Sequence, residues 1–221
     1  MQRKPIVIIA SVICGIALVA IWLQLRPVPV QIDRAPLIGA AAGAGAVLAE
    51  ETIQAVHDQG RIVLVTDYDH NHSDRGQDFR WETFQAEIKK HSGITIAAIE
   101  IVEPDPNEPM ISACPSAAFK AIVEHHTDSA AIIFFIDLPE WAKVAALIPR
   151  PVGPKIIAVD NVAVPTMARY SGYFSSGILT ALIAAQPSPA SAPAAQPKTP
   201  REWFDKYYQV YTPQNYESLP E

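Results

Sequence analysis

The sequence predicts an α/β domain built on a doubly wound parallel sheet, carried behind an N-terminal transmembrane helix. Three observations predict it. Short, β-branched apolar runs alternate with amphipathic helical patterns, carboxylates stand directly after three of those runs, and Pro5–Leu25 is an uncharged, almost wholly apolar stretch between Arg3-Lys4 and Arg26.

About 20 apolar residues suffice to cross a bilayer as a helix, because each backbone N–H and C=O is satisfied within the segment. Pro5–Leu25 has that length and runs on into Arg26-Pro27-Val28-Pro29, whereas a cleavable signal has a shorter apolar core and a small-residue cleavage site. It is therefore expected to be an uncleaved anchor in an inner (cytoplasmic) membrane. Residues 1–4 would form a cytoplasmic tail, with the C-terminal bulk extracytoplasmic, because positive residues prefer the cytoplasm. Cys14-Gly15 lies inside the run with Ile13 where a lipidation site needs a small residue, so Cys14 reads as a buried membrane thiol. Residues 26–45, rich in Pro, Ala and Gly, read as a flexible tether. The domain would occupy 46–186, a Pro/Ala linker 187–200, and an aromatic tail 201–221. A formal net charge of −6 and the lack of a basic stripe argue against nucleic acid as a partner. No cofactor is expected.

The elements follow in order. Val47 to Asp58 reads as a helix with Gly60 as its C-cap, and Arg61–Thr66 as a continuously apolar strand of the kind buried on both faces. Asp78 to His91 has Phe79, Phe84 and Ile88 spaced for one helix face and stops at Ser92-Gly93. Ile94–Val102 is the second strand, Pro115–His125 a helix, and Ala130–Ile136 the third strand. Pro139–Ile148 is a helix with Pro in its first turn, Lys155–Val159 the fourth strand, and Gly172–Ala185 a further helix. Strands alternating with helices imply right-handed crossovers and a parallel sheet covered on both faces.

Ligands of such sheets sit beyond the carboxyl ends of the strands, where strand order reverses. The first strand ends in Thr66-Asp67-Tyr68-Asp69, the third reaches Asp137, and the fourth ends at Asp160-Asn161. Carboxylates gathered on one rim raise one another's pKa or call for a cation or a hydroxyl-rich ligand. Asp and Asn after a strand also serve as helix caps or in Asx turns, and that reading stays open for each of them.

A second line comes from resemblance. Gly60-Arg61-Ile62-Val63-Leu64-Val65, a loop, Arg80-Trp81-Glu82-Thr83-Phe84, then His91-Ser92-Gly93-Ile94 resembles the opening of the C-terminal lobe of type I periplasmic sugar-binding proteins and their repressor relatives. Asp128-Ser129-Ala130-Ala131-Ile132-Ile133 and Ile156-Ile157-Ala158-Val159-Asp160-Asn161 resemble later strands of that lobe, and Val210-Tyr211-Thr212-Pro213-Gln214-Asn215 its closing segment. The chain departs from the family where Thr83 and Asn161 stand in place of glycines. The resemblance implies a non-catalytic, ligand-binding-type domain in small-molecule capture or assembly that takes a small polyol or sugar, with Arg80 binding ligand hydroxyls or carboxylate, Asp137 the polar residue after the third strand and Asp160 the ligand-binding aspartate; Asn161 joins the candidate set from its place beside Asp160 at the fourth strand end. Asp67 and Asp69 at the first strand end complete the candidate ligand-binding set. The family encloses ligand between two lobes and this chain has length for one, so a protein partner is expected to supply the second, or sugar binding has been lost.

One alternative is enzymatic. Val63-Leu64-Val65-Thr66-Asp67-Tyr68-Asp69 is similar to the strand and Asp-x-Asp opening of haloacid-dehalogenase-type phosphatases, which implies a nucleophilic Asp67 and a magnesium ion. His70-Asn71 stands where Gly-Thr is usual, and the remaining motifs are weak. Asp67, Asp69, Asn71 and Ser73 at alternate positions echo a calcium loop, yet His72 occupies the sharp-turn glycine position. No metal site is expected. Trp203, Tyr207 and their neighbours read either as an anchor for a partner or as aromatics folding back on the domain's own core, with strand character at Gln209–Thr212.

Overall fold

The computed structural model describes residues 34–68, 78–103, 113–146, 153–161, 165–186 and 197–221. The expected anchor Pro5–Leu25 falls outside them, and among the described residues no helix is long and apolar enough to cross a membrane. Ala35–Glu221 forms one compact unit.

Helix α1 (Ala35–Val56) leads into β1 (Gly60–Thr66), followed by α2 (Phe79–Ile88), β2 (Ile94–Ile101), α3 (Ser116–His125) and β3 (Ala131–Phe134). The chain continues with α4 (Trp141–Val144), β4 (Lys155–Val159), α5 (Met167–Ser175), β5 (Leu179–Ala185), α6 (Pro200–Tyr207), β6 (Tyr208–Tyr211) and a 3₁₀ turn at Tyr216–Ser218. One sheet has the order β2-β1-β3-β4-β5-β6. All neighbours pair in parallel except β6, which runs antiparallel to β5 with Ile183 opposite Val210. Because β2 and β3 flank β1 on opposite sides, the chain leaves β1 in both directions, and order reverses between β1 and β3.

Side-chain alternation along the strands builds two cores. Ile62, Leu64, Ile133, Ile157 and Ile183 point to a layer holding Leu48 of α1, Phe84 of α2 and Phe204 of α6. Val63, Val65, Ile132, Phe134 and Leu182 point to the other, with Phe119 of α3, Val144 of α4 and Tyr173 of α5. The central strands are buried on both faces, which is why their sequences are apolar without interruption.

Several expectations are corrected. The tether expected to run to residue 45 is helical from Ala35, and Ala40, Gly43, Ala44 and Gly45 are buried. A Cβ on Gly43 would lie 2.5 Å from the Pro200 carbonyl and 2.8 Å from the Phe204 nitrogen of α6, so the missing side chains admit a neighbouring backbone rather than loosen the chain. Alanine's high helix propensity carries the rest. Second, α1 ends through His57 and Asp58, both at positive φ, and Gly60 is already the first residue of β1. Third, Gly172–Ala185 is not one helix. α5 begins at Met167 and stops at Ser175, Gly177 turns the chain at φ +75°, and Leu179–Ala185 pairs with β4 as β5. An apolar run buried on both sides carries no periodicity to tell strand from helix. The helix expected at Pro139–Ile148 is the single turn α4, with 147–152 outside the described residues.

The expected linker 187–200 lies outside the described residues as far as 196, and Thr199 and Pro200 belong to α6. There the Thr199 side chain accepts the Glu202 N–H and Pro200 fills the first helical position. α6 packs on α1 and β6 closes the sheet, so Phe204, Tyr211 and Leu219 of the tail are buried.

Candidate functional site

The carboxyl edge of the sheet collects five of the six residues singled out in the sequence: Asp67 after β1, Arg80 on the first turn of α2, Asp137 after β3, and Asp160-Asn161 after β4. Asp69 lies outside the described residues. Asp78 sets the position of Arg80. Its Oδ1 accepts the backbone N–H groups of Arg80 (3.0 Å) and Trp81 (3.2 Å), capping α2, while its Oδ2 accepts the Tyr68 hydroxyl at 2.8 Å. Burial pushes the Tyr68 hydroxyl well above its ordinary pKa, and its bond to Asp78 and the charges of Asp78 and Asp67 push it further.

From that cap Arg80 reaches across the top of β3. Nη1 donates to Asn161 Oδ1 at 2.7 Å, Nη2 to the Phe135 carbonyl at 3.4 Å, and the guanidinium lies 5.8 Å from the centre of the Phe135 ring. Asn161 returns the connection, its Nδ2 donating to the same carbonyl at 3.2 Å and its backbone N–H to Asp137 Oδ1 at 2.7 Å. One polar chain thus joins the ends of β1, β3 and β4 at the point where strand order reverses.

Beneath it is a buried layer. Asp137 and Asp160 are 2% and 3% exposed. Burial raises the pKa of Asp137 against the opposing pull of the Asn161 N–H, Arg169 and Arg80. Arg169 on α5 donates through Nη2 to the Leu138 carbonyl at 2.9 Å, sits 3.9 Å from Asp137 Oδ2 and covers the Tyr170 ring at 5.4 Å. Tyr170 is held well above its ordinary pKa by burial first and then by the Asp160 carboxylate beside it. Asp160 and Asp137 therefore face inward, while Asn161 is exposed and Arg80 and Asp67 are half-buried. The Nε–H groups of Arg80 and Arg169 are buried without a hydrogen bond among the described residues.

Arg169 also lines a cavity of about 360 Å³ with Trp141, Thr166, Glu140 and Ala113. The Trp141 indole packs edge-on to Tyr173 at 4.9 Å and lies where a Cβ on Gly172 would fall. An aromatic face, a guanidinium, a hydroxyl and a carboxylate around one opening suit a polyhydroxylated solute, whose C–H face packs on the ring while vicinal hydroxyls take charge-assisted hydrogen bonds. Trp141, Thr166, Arg169 and Tyr170 were absent from the sequence-derived set. The apolar run from Gly172 onward draws the expected helix C-terminal of Arg169, and Trp141 reads in the sequence as one more apolar helix residue.

Among the described residues no three His, Cys, Asp or Glu side chains converge to hold a metal ion. His126, beyond α3, pairs with Glu100 at 2.7 Å. Cys114 is buried, its thiol pushed up to about 12 by desolvation.

No protein-family model matches the chain, and no curated protein matches it in sequence. Its structural neighbours are periplasmic sugar-binding proteins of ABC transporters. A solute-binding protein from Burkholderia graminis C4D1M, in complex with D-arabinose, superposes with a TM-score of 0.52 at 18% identity over 81% of this chain and 62% of that one. The arabinose-binding protein AraP of Geobacillus stearothermophilus gives 0.51 at 16% identity, over 82% of this chain and 63% of that one. GanP, a glucose-galactose binding protein from the same organism, gives 0.50 at 16% identity, over 82% and 62%. The likeness is one of fold, consistent with a lobe of such a protein, and the chain spans less than two thirds of the length of each neighbour.

Proposed function

We propose that this chain is a membrane-tethered, extracytoplasmic binding domain, non-catalytic, that captures a small sugar or polyol at the carboxyl edge of its sheet. The observation that carries the reading is the pairing of the Arg80–Asn161–Asp137 chain with the cavity of Trp141, Thr166 and Arg169 on that edge. Both arginines keep a buried Nε–H without a partner among the described residues, and such a donor gains from an acceptor brought by a ligand. The sugar-binding fold of the neighbours points the same way, and the ligand class is carried over from them. The tether reading rests on Pro5–Leu25 and its basic flanks.

Binding rather than catalysis fits the proton chemistry. A nucleophile is tuned toward its working pH, whereas Cys114, Tyr68 and Tyr170 are pushed away from it by burial; Asp137 alone of the site is shifted upward from the carboxylate range, and it is engaged by the Asn161 N–H and Arg169. The phosphatase alternative gains no support from the structural neighbours, which are binding proteins.

A solute on this edge has one face on the domain, so a second protein surface is expected to close over it. The test is a thermal-melt screen of the full-length chain in detergent against aldopentoses, aldohexoses and cyclic polyols. One class should raise the melting temperature saturably, by the several degrees that about 2.7 kcal/mol of linkage gives at a hundredfold excess over Kd. Trp141→Ala should abolish that rise. A melt that no sugar or polyol moves would overturn the reading.

A further inference from the structure

The other half of the carboxyl edge has a different chemistry. Where β5 ends and β6 begins, Pro36, Leu37 and Ala40 of α1 line a second cavity, about 320 Å³, with Ala185, Tyr207 and Tyr208. Leu37 is 68% exposed and Ile38 37%, two of the four large apolar side chains most open to solvent among the described residues. Beside them Trp203 stacks on Tyr207 at 6.1 Å, and the Lys206 ammonium lies 5.9 Å and 5.4 Å from the two ring centres. The indole of Trp203 rests on α1 at Gly39, where a Cβ would meet it at 2.5 Å. Trp and Tyr with a Lys over an apolar floor is the composition that settles at the headgroup level of a bilayer, apolar rings down and ammonium toward phosphate.

Chain length supplies the occupant. Only the nine residues Arg26–Arg34 separate the apolar run ending at Leu25 from α1, and nine residues span at most about 30 Å even when fully extended. We propose that the Leu37–Trp203–Tyr207 patch docks on the surface of the bilayer that Pro5–Leu25 crosses, a proposal that rests on the membrane-tether reading above.

The full-length chain is reconstituted into phosphatidylethanolamine/phosphatidylglycerol vesicles whose acyl chains carry bromine either near the headgroups or near the bilayer centre. Trp22 lies near the Leu25 end of the apolar run and would itself meet shallow bromines, so the measurement is made in a chain carrying Trp22→Phe; there shallow bromines should quench Trp203 more than deep ones do, and Trp203→Phe should remove at least half of that shallow quenching. Leu37→Asp, at an exposed position, should halve the Trp203 contribution with no change in melting temperature. The proposal is overturned if Trp203→Phe or Leu37→Asp leaves shallow quenching unchanged in chains that resist alkaline carbonate extraction, since the anchor then holds without docking. Chains released by carbonate would refute the tether alone; Trp203-dependent quenching by added vesicles would still support docking, and its absence would overturn docking too. Disulfide cross-links between copies of a Leu37→Cys chain lacking Cys14, without Trp203 quenching, would assign the face to a second copy and overturn the lipid proposal.

Discussion

The two halves of the carboxyl edge are built from opposite materials. Over β1, β3 and β4 the edge is a connected polar chain, in which Asp78 caps α2, Arg80 spans to Asn161, and Asn161 and Arg169 converge on a buried Asp137. Over β5 and β6 it is apolar and aromatic, with Leu37 exposed and Trp203 stacked on Tyr207. The difference arises from the neighbours each half has. Where strand order reverses, diverging loops leave backbone groups that polar side chains must satisfy. At the β5–β6 end an antiparallel strand closes the sheet, and α6 presents rings over a helix whose small residues let it approach. On the proposals above, the first half holds a solute and the second a surface.

The sharpest way to break this contrast is at Asp137. Asp137→Ala removes the acceptor of the Asn161 N–H and leaves Arg169 without its carboxylate, which should cost about 3 kcal/mol and lower the melting temperature by roughly 6–12 °C. Asp137→Asn keeps an oxygen for the Asn161 N–H and should cost far less. It should also change the pH profile. Burial raises the folded-state pKa of Asp137 above its ordinary value of 3.8, so the folded chain holds that proton more tightly than the unfolded one. The resulting stability is complete below 3.8 and declines as pH rises through the folded value. Melts taken upward from about pH 4 should show that decline in the parent and a flatter profile in Asp137→Asn.

The apolar half is tested through its support. A Cβ at Gly43 would press on the Pro200 carbonyl and the Phe204 nitrogen, both backbone, so α6 must shift. Gly43→Ala should cost about 2 kcal/mol and red-shift Trp203 emission as the ring leaves α1, while the sugar response of the polar half persists. Arg80→Ala inverts this pattern: it should abolish the sugar-induced rise in melting temperature at a cost of about 1 kcal/mol in basal stability. The smallest effect concerns Cys114. With its thiol pushed up to about 12 and the side chain buried, a chain carrying Cys14→Ser should show no reaction with an aromatic disulfide reagent at pH 8 until denaturant is added, measured by absorbance of the released thiolate.

Much of this fold is legible in the sequence, and the unread parts share a cause. The strands at Arg61–Thr66, Ile94–Val102, Ala130–Ile136 and Lys155–Val159 were readable because β-branched, doubly buried strands leave unbroken apolar runs. The same property conceals β5: Leu-Thr-Ala-Leu-Ile-Ala-Ala has no period that separates strand from helix, and α5 with Arg169 is hidden along with it. The Gly/Ala start of α1 reads as a linker because local composition cannot show that α6 and α2 press against it. At the site, acids after strands announced Asp67, Asp137 and Asp160, yet which carboxylates turn inward depends on Arg169 and Tyr170, contributed by a helix elsewhere in the chain.

The most direct test of the central claim, that the polar half of the carboxyl edge is a solute site, is calorimetric titration of the full-length chain with whichever sugar the melt screen selects. Saturable binding with one site per chain is expected, lost in Arg80→Ala and in Trp141→Ala and unchanged in Leu37→Asp. Binding that survives both site substitutions, or that fails in Leu37→Asp instead, would contradict it.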